Sequence, residues 1–492
     1  MAYNSVKFSP RILLFGLFAA AITLRLIDFT DQPLDFNPAR QLYSAIIARA
    51  IYYQGLPAAD PILLARATAI RGNLEQLEPP VLETLAVWIY RLGGKEVLWA
   101  PRLYSIVFWL AGGAILYMLG REFLNGRYGA LIGLAYFLFL PLGVYASRSF
   151  QPDPAMIAAL LLSFWLLLIW DQRRTMKWAA LAGLVGGLAV LLKGVGLFFI
   201  GGFLIGLLLA RWYAASGALA RRTGPIRMWF DLQVLSVMGL TAIPALVIYL
   251  PRLVAGSSLY TRSAIYHWND LIDPSFYIRW LILIDTHLNL FIVLIAFAGV
   301  LLLPIKMKSA LLGLWAGYGL YGLSFPKLII THDYYQLPLL AIVSLSLIPA
   351  ADLVAEKIVS AGRLSRLVGL GAFSLAVLYP FWISRSVMLA EDFREAPSYW
   401  ETVGKAIPDN GKAIGYSQDY GFRLMYYGWQ NFRAWSADIP PEEFAENAGD
   451  AAYFVITARN QANDDLEAFL AATFPILETG GGYVIYDLLP KQ

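Results

Sequence analysis

Runs of apolar residues long enough to cross a bilayer recur along this chain, at about 11–28, 98–119, 128–146, 154–170, 177–192, 194–212, 231–251, 279–303, 309–325, 335–351 and 367–387. About 20 apolar residues cross the hydrocarbon core, so the pattern predicts a polytopic α-helical membrane protein with about eleven transmembrane helices. The polar interruptions alternate in charge. Lys7 and Arg11, Arg121 and Arg127, Arg173, Arg174 and Lys177, Arg211, Arg221, Arg222 and Arg227, Lys306 and Lys308, and Lys357, Arg363 and Arg366 fall in every second loop. The positive-inside rule then makes the N-terminus cytoplasmic and puts the C-terminus outside. The first apolar run has no small-x-small exit, so it reads as a retained helix and not as a cleaved signal.

The remaining loops share the opposite face, and the longest is the first outer loop, 29–97. Within it, DFNPARQLYSAIIARAIYY (Asp35 to Tyr53) carries a helix start: Asn37 as N-cap and Pro38 as first helical residue. Tyr43, Ile46, Ile47, Ala50 and Ile51 repeat at helical spacing, which predicts an amphipathic helix on the membrane surface with Asp35 and Arg40 at its entrance. Glu78-Pro79-Pro80 opens a second such helix through Leu82, Leu85, Ala86 and Ile89. From about Ala390 the chain becomes charged and punctuated by Gly and Pro. Strand-like runs at 412–417, 452–457 and 483–488 alternate with helical patterns near 398–406 and 464–473. That alternation predicts a small soluble α/β domain. The expected division is therefore a membrane domain, 1–388, and an extracytoplasmic domain, 389–492.

Composition agrees with the pattern: 59% of the 492 residues are hydrophobic and 15% charged, with a mean hydropathy of +0.58. A net charge of +4 is small for this length and is accounted for by topology, which makes nucleic acid a poor partner. With no cysteine there is no disulfide, thiol nucleophile or thiolate metal site. The three histidines, His267, His287 and His332, show no metal-ligand spacing.

Ionisable residues at membrane depth or at its outer boundary are costly and tend to be functional. Asp35, just before the capped helix, suits a general base or an acceptor-orienting carboxylate. It is also what a helix N-terminus favours in any protein. Asp153 in SRSFQPDP stands at the outer end of the fourth run, with Arg148 on the same loop. Together they suit a phosphate and a sugar, although Asp before Pro also starts helices. Glu78 satisfies a helix dipole, and Glu83 on the same helix would face water. Lys193 interrupts the apolar stretch from Trp178 to Leu209, where Gly194 and Gly196 allow a turn. It would neutralise a lipid-linked phosphate or else snorkel to the interface. KLIITHDYYQLPLL offers Lys327, His332, Asp333, Tyr334 and Tyr335 at the start of the tenth run, where His332 with Asp333 would shape a polar pocket.

The order of these features resembles glycosyltransferase family 39, the protein O-mannosyltransferase and aminoarabinose transferase group, which has the C-type membrane glycosyltransferase fold. The resemblance rests on Asp35 with Arg40 and Arg49, Glu78-Pro79-Pro80, Arg102 to Ser105, Asp153-Pro154, Leu192-Lys193-Gly194 and Tyr335-Gln336-Leu337-Pro338. It covers about residues 10–350. The family shows Asp-Glu shortly before the surface helix, whereas this chain has Asp35-Phe36-Asn37-Pro38.

The resemblance implies transfer of a sugar, with inversion, from a polyprenyl-phosphate donor to a lipid, glycan or protein acceptor on the outer face of a bacterial or archaeal inner membrane. In that reading Asp35 and Asp153 are catalytic, Arg40, Arg148 and Lys193 hold the donor phosphate, and Glu78, His332 and Tyr335 line the cavity. No cofactor is called for, and the pattern leaves a divalent metal open. The missing Asp-Glu supports an alternative, a catalytically degenerate member serving as a structural subunit of a membrane complex. A transporter would gather its charges at midplane, whereas these gather at one boundary.

Overall fold

The computed structural model describes residues 10–215, 229–255, 267–408, 411–436, 438–458 and 463–489. Its helices run α1 (Pro10–Leu26), α2 (Pro38–Gln54), α3 (Pro61–Gly72), α4 (Val81–Gly93), α5 (Trp99–Glu122), α6 (Gly129–Phe139), α7 (Pro141–Ala146), α8 (Asp153–Arg173), α9 (Met176–Leu192) and α10 (Gly196–Ala215). They continue as α11 (Leu232–Pro244), α12 (Leu250–Val254), α13 (Pro274–Leu288), α14 (Leu290–Val300), α15 (Ile305–Ser324), α16 (Pro326–Thr331), α17 (Leu337–Ser360) and α18 (Arg363–Ala390). Every one of the eleven apolar runs falls on a helix or a pair of helices. Among the described residues six helical segments, one of them continuous from Leu232 to Val254 through α11 and α12, are long and apolar enough to cross a bilayer, or seven if the bent pair α13 and α14 counts as one span. That pair turns through 91° at Asn289, whose φ of 62° breaks the helix and whose side chain accepts from the Ile292 amide to cap the next one.

Glycine decides how closely the helices approach. A Cβ on Gly206 would sit 2.1 Å from the Ser309 carbonyl, and one on Gly313 2.0 Å from that of Gly202. α10 and α15 therefore cross backbone to backbone, as small residues permit where lipid removes any hydrophobic drive.

Loops expected to share the basic face do meet. Asp171 at the end of α8 binds Arg174, Arg211 at the end of α10 and Lys306 at the start of α15. Asp352 of α17 accepts from the amides of Tyr128 and Gly129 beside Arg127. Lys7, Arg221, Arg222 and Arg227, and the part of the outer segment at 256–266, lie outside the described residues.

The first outer loop departs from expectation. It holds three helices, with α3 capped by Asp60, which accepts from the amides of Ile62 and Leu63. α2 is not a surface helix: twelve of its residues from Arg40 to Tyr52, polar ones included, are buried. The reason is that α3 and α4 cover it from one side and the C-terminal region from another, so its polar face meets protein and not water. Asn37 occupies the N-cap place without capping. It adopts φ 48° and makes no side-chain bond to the helix, donating instead to Asp333 Oδ1 at 2.9 Å.

After α18 come α19 (Ala396–Ala406), β1 (Lys412–Tyr416), α20 (Phe422–Tyr426), β2 (Phe432–Ala434), α21 (Phe444–Ala448), β3 (Ala451–Ile456), α22 (Asp464–Thr473), β4 (Ile476–Gly480) and β5 (Tyr483–Asp487). The sheet order is β2-β1-β3-β5-β4, parallel at β2-β1-β3 and antiparallel at β3-β5-β4. Side chains alternate across it. Ala413, Tyr453, Val455, Tyr483 and Ile485 join the core that runs into the membrane helices. Ile414, Phe454, Ile456, Val484 and Tyr486 pack with Leu466 and Leu470 on the other face.

Arg49 of α2 fastens this region to the rest. Its guanidinium lies 3.8 Å from the Tyr426 ring and 4.0 Å from that of Trp429. It also pairs with Glu96 at 2.9 Å and donates to the Tyr426 carbonyl.

Candidate active site

Six of the eight residues picked out from the sequence come together. Lys193 ends α9 in an extended conformation, and its ammonium donates to Asp153 Oδ1 at 2.9 Å and Oδ2 at 3.2 Å. Both side chains are almost wholly enclosed, at 2% and 1% exposure, so Lys193 does not snorkel. The ammonium stands 4.7 Å from the centre of the Tyr334 ring and 4.5 Å from that of Tyr335. His332 packs edge-on against both tyrosines. Burial, and then Lys193, push its pKa below the usual 6.5, with Asp333 opposing.

Arg40 is bonded not to Asp35 but to Glu78, at 2.5 Å. Burial works against the charge on Arg40, yet Glu78 with Tyr334 and Tyr43 outweighs it and holds its pKa above the ordinary arginine value. Tyr334 lies within electrostatic reach of Arg40, Asp153 and Glu78, which ties the two ion pairs into one cluster. One nitrogen of Arg40, Nη1, is buried with no hydrogen-bond partner. Glu83 is buried too and does not face water; desolvation raises its pKa above the usual carboxylate value.

The tyrosine segment is braced from behind. Trp280 Nε1 donates to the Tyr318 hydroxyl at 2.7 Å, Tyr318 donates to Gln336, and Gln336 donates to the Ile329 carbonyl at 2.9 Å. Such a connected polar chain fixes one arrangement of its members.

Asp35 and Arg148 form a separate group. Asp35 accepts from Arg102 at 3.1 Å and keeps 21% of its side chain exposed. Arg102 also donates to the carbonyls of Phe29 and Gln32. Arg148 shares a loop with Asp153 but turns the other way, donating to the Asp28 carbonyl at 2.9 Å and contacting Met388. Burial pushes its pKa down to about 10, opposed by Asp35. Gln41 stands between the groups, accepting from the Phe150 amide at 3.0 Å and donating to the Phe36 carbonyl at 2.7 Å. Asp153 and Arg148, expected to act together on a phosphate and a sugar, therefore face different groups, because the buried partner of Asp153 arrives from α9.

Two residues that sequence reading passed over complete the site. Arg252 at the end of α12 donates to the carbonyls of Gln76 and Leu77, both at 3.1 Å. It stands at an apolar groove of about 280 Å³ lined by Gly194, Val195, Phe198, Leu246, Tyr249 and Phe325. Tyr249 lies within electrostatic reach of Glu78, Arg252 and Arg40, so the groove ends beside the cluster. Tyr43 is the other. Its hydroxyl donates to the Glu75 carbonyl and accepts from the Leu77 amide. Its ring walls both a cavity of about 160 Å³ that reaches Glu78 and one of about 460 Å³ beneath the sheet, with Tyr420, Phe422, Lys412 and Asp450. Arg252 follows a run already read as a span, and the segment it grips, Glu75–Leu77, has no sequence signal. Only the fold joins them. Among the described residues no group of His, Asp and Glu side chains has a metal-binding arrangement.

This chain has the fold of the C-type membrane glycosyltransferases. Residues 77–223 match the family described as dolichyl-phosphate-mannose-protein mannosyltransferase. A search of curated proteins finds no match. The chain is similar to ArnT from Cupriavidus metallidurans bound to undecaprenyl phosphate, with TM-score 0.55 and 14% identity over 97% of this chain and 98% of that one. It is also similar to the archaeal oligosaccharyltransferase AglB from Archaeoglobus fulgidus in complex with an inhibitory peptide and a dolichol-phosphate. There the TM-score is 0.57 and the identity 15%, over 94% of this chain and 72% of that one.

Proposed function

We propose that this protein transfers a sugar from a polyprenyl-phosphate carrier to an acceptor on the outer face of a bacterial or archaeal cell membrane. The observation that carries the reading is the apolar groove ending at Arg252, beside the enclosed Lys193–Asp153 and Arg40–Glu78 pairs. An isoprenoid chain fits the groove, and the cations behind it suit the charge of a departing phosphate. ArnT was solved with undecaprenyl phosphate and AglB with a dolichol-phosphate, which favours the same lipid class here. In this reading the eleven apolar runs all cross the membrane, and 389–492 lies outside over the site.

Arg252 and the unpaired Nη1 of Arg40 take the phosphate, and Asp153 holds Lys193 in place. The acceptor enters from the cavity beneath the sheet and passes Tyr43 to reach Glu78. Its oxygen attacks C1 of the sugar as the bond from C1 to the phosphate oxygen breaks. The electron pair leaves with the phosphate, and the acceptor proton passes to Glu78. Asp35, tied to Arg102, is the second carboxylate to weigh in that role. A non-enzymatic subunit is favoured by one feature, that Asp35, Glu78 and Asp153 are each held by a cation.

The test is transfer in membranes supplied with a radiolabelled polyprenyl-phosphate sugar. Wild type should consume the donor, Glu78→Gln should lose about 100-fold or more, in the range of a removed general base, and Asp35→Asn should lose less. The reverse order would return the proton to Asp35. A wild type that neither binds nor consumes any such donor would leave the structural subunit as the better reading.

A further inference from the structure

At the opposite end of the helices from the proposed active site, three cations surround one carboxylate. Asp171, near the end of α8 and with 7% of its side chain exposed, receives Arg174 Nη2 at 3.0 Å, Arg211 Nε at 2.8 Å and Lys306 Nζ at 2.5 Å. One carboxylate cannot balance three cations, so two positive charges remain, and among the described residues no other carboxylate pairs with any of the three. Arg174 Nε is buried there without a partner. The outer parts of Arg211 and Lys306 stay partly open, at 32% and 36% exposure.

The cluster sits at the end of a groove. Between α10 and α15 runs an apolar channel of about 570 Å³, lined from Leu197 to Leu209 on one helix and from Ser309 to Leu320 on the other. Glycines make it. Gly202, Gly206, Gly313 and Gly317 bring the two backbones together as its floor, and a Cβ on Gly201 would meet nothing within 4 Å. From Leu197 to Leu209 the groove is ~18 Å long at ~1.5 Å per residue, more than half of a ~30 Å hydrocarbon core. Arg211 lies two residues beyond its lower end on α10, and Lys306 three residues before Ser309 on α15.

We infer that this is a binding site for an anionic phospholipid of the leaflet on the Asp171 side, with one acyl chain in the α10–α15 groove and the headgroup phosphate on Arg211 and Lys306. Two unbalanced cations at the foot of an acyl-length groove match an anionic lipid better than a neutral one. The site is separate from the proposed donor site: the two grooves touch only at Leu197 and Phe198, and their cations lie at opposite ends of α10.

The test uses the full chain purified in neutral detergent and equilibrated with equimolar phosphatidylglycerol and phosphatidylcholine, with retained lipid counted by mass spectrometry. Wild type should retain phosphatidylglycerol over phosphatidylcholine by about tenfold or more, since each nearby cation adds roughly fivefold. Arg211→Gln with Lys306→Gln should bring the ratio near one. Because that pair also removes two partners of Asp171, Gly201→Leu provides an independent arm: it fills the groove in open space and should cut retention while the protein stays folded. Asp171→Asn should keep or raise the preference, because it removes the competing carboxylate. Millimolar inorganic phosphate should not displace the lipid; if it does, the cluster is a free-anion site. No preference in wild type, or full retention in both the charge and the groove variants, overturns the proposal.

Discussion

Lys193 and Asp153 show what a single buried pair can hold in place. Neither side chain meets solvent, so each is tolerated only because the other is there. Lys193→Met leaves a bare carboxylate and should cost about 3–5 kcal/mol, while combining Lys193→Met with Asp153→Asn avoids an uncompensated charge and should cost less than the two single changes added together. Thermal unfolding in detergent of the three variants measures this; strictly additive losses would show that the pair is not coupled. His332 gives a pH signature. Its pKa is depressed in the fold by burial and Lys193, so the fold favours neutral imidazole. That contribution is complete above 6.5, the ordinary value, and is lost as pH falls through the lower folded pKa. Stability should therefore drop on acidification below about pH 6.5 in wild type, and His332→Gln should flatten that drop. At this scale sequence reading picked out residues that the fold brings together more often than it paired them as the fold does. Asp153, Lys193, Glu78 and Arg40 stood out because charge near apolar runs is rare. Nothing in local spacing could say that Arg40 chooses Glu78, or that Arg148 turns toward the Asp28 carbonyl, since those choices are made by helices far apart in sequence.

Among elements, the helix pair α10 and α15 is the most exacting. Gly206→Ala places a methyl 2.1 Å from the Ser309 carbonyl, whereas Gly201→Ala on the same helix meets nothing. The first should lose about 1–3 kcal/mol or more as the backbones are forced apart, and the second should be silent. Yield of monodisperse protein after detergent extraction separates them, and equal behaviour would contradict the close crossing. The elements were largely legible. Every apolar run is helical, and the strand and helix patterns at 412–417, 452–457, 483–488, 398–406 and 464–473 match β1, β3, β5, α19 and α22 within a residue or two. The misses have physical reasons. β2 has three residues, and β4 is exposed along its length with no alternation to read. α2 shows a helical apolar repeat, but its polar residues are also buried, because tertiary cover and not solvent satisfies them.

At the scale of the whole molecule, the C-terminal sheet is held over the end of the helices that carries the Lys193–Asp153 pair through Arg49, which joins α2 to Glu96, Tyr426 and Trp429. Arg49→Ala strips away that contact and leaves Glu96 without its cation, with the Tyr426 hydroxyl still donating to it at 2.9 Å. The sheet should then loosen, seen as faster proteolytic cleavage between α18 and α19, at 391–395; unchanged cleavage would show that the remaining contacts suffice, among them Arg394 with Asp28 and Tyr427 with Gln32. The sequence pattern separates an apolar helical part from a charged part with strands, and marks the end where unusual charges gather. It could not show that one continuous core joins them, because that core is assembled from alternate residues of strands and the far side of a loop helix.

In the proposed function the groove beside Lys193 receives a polyprenyl phosphate. The most direct measurement is a structure of the full chain with that lipid bound. The phosphate is expected within hydrogen-bond reach of Arg252 and Arg40, with the first isoprene units along Val195, Phe198 and Leu246. A phosphate found elsewhere, with this groove empty, would contradict the account.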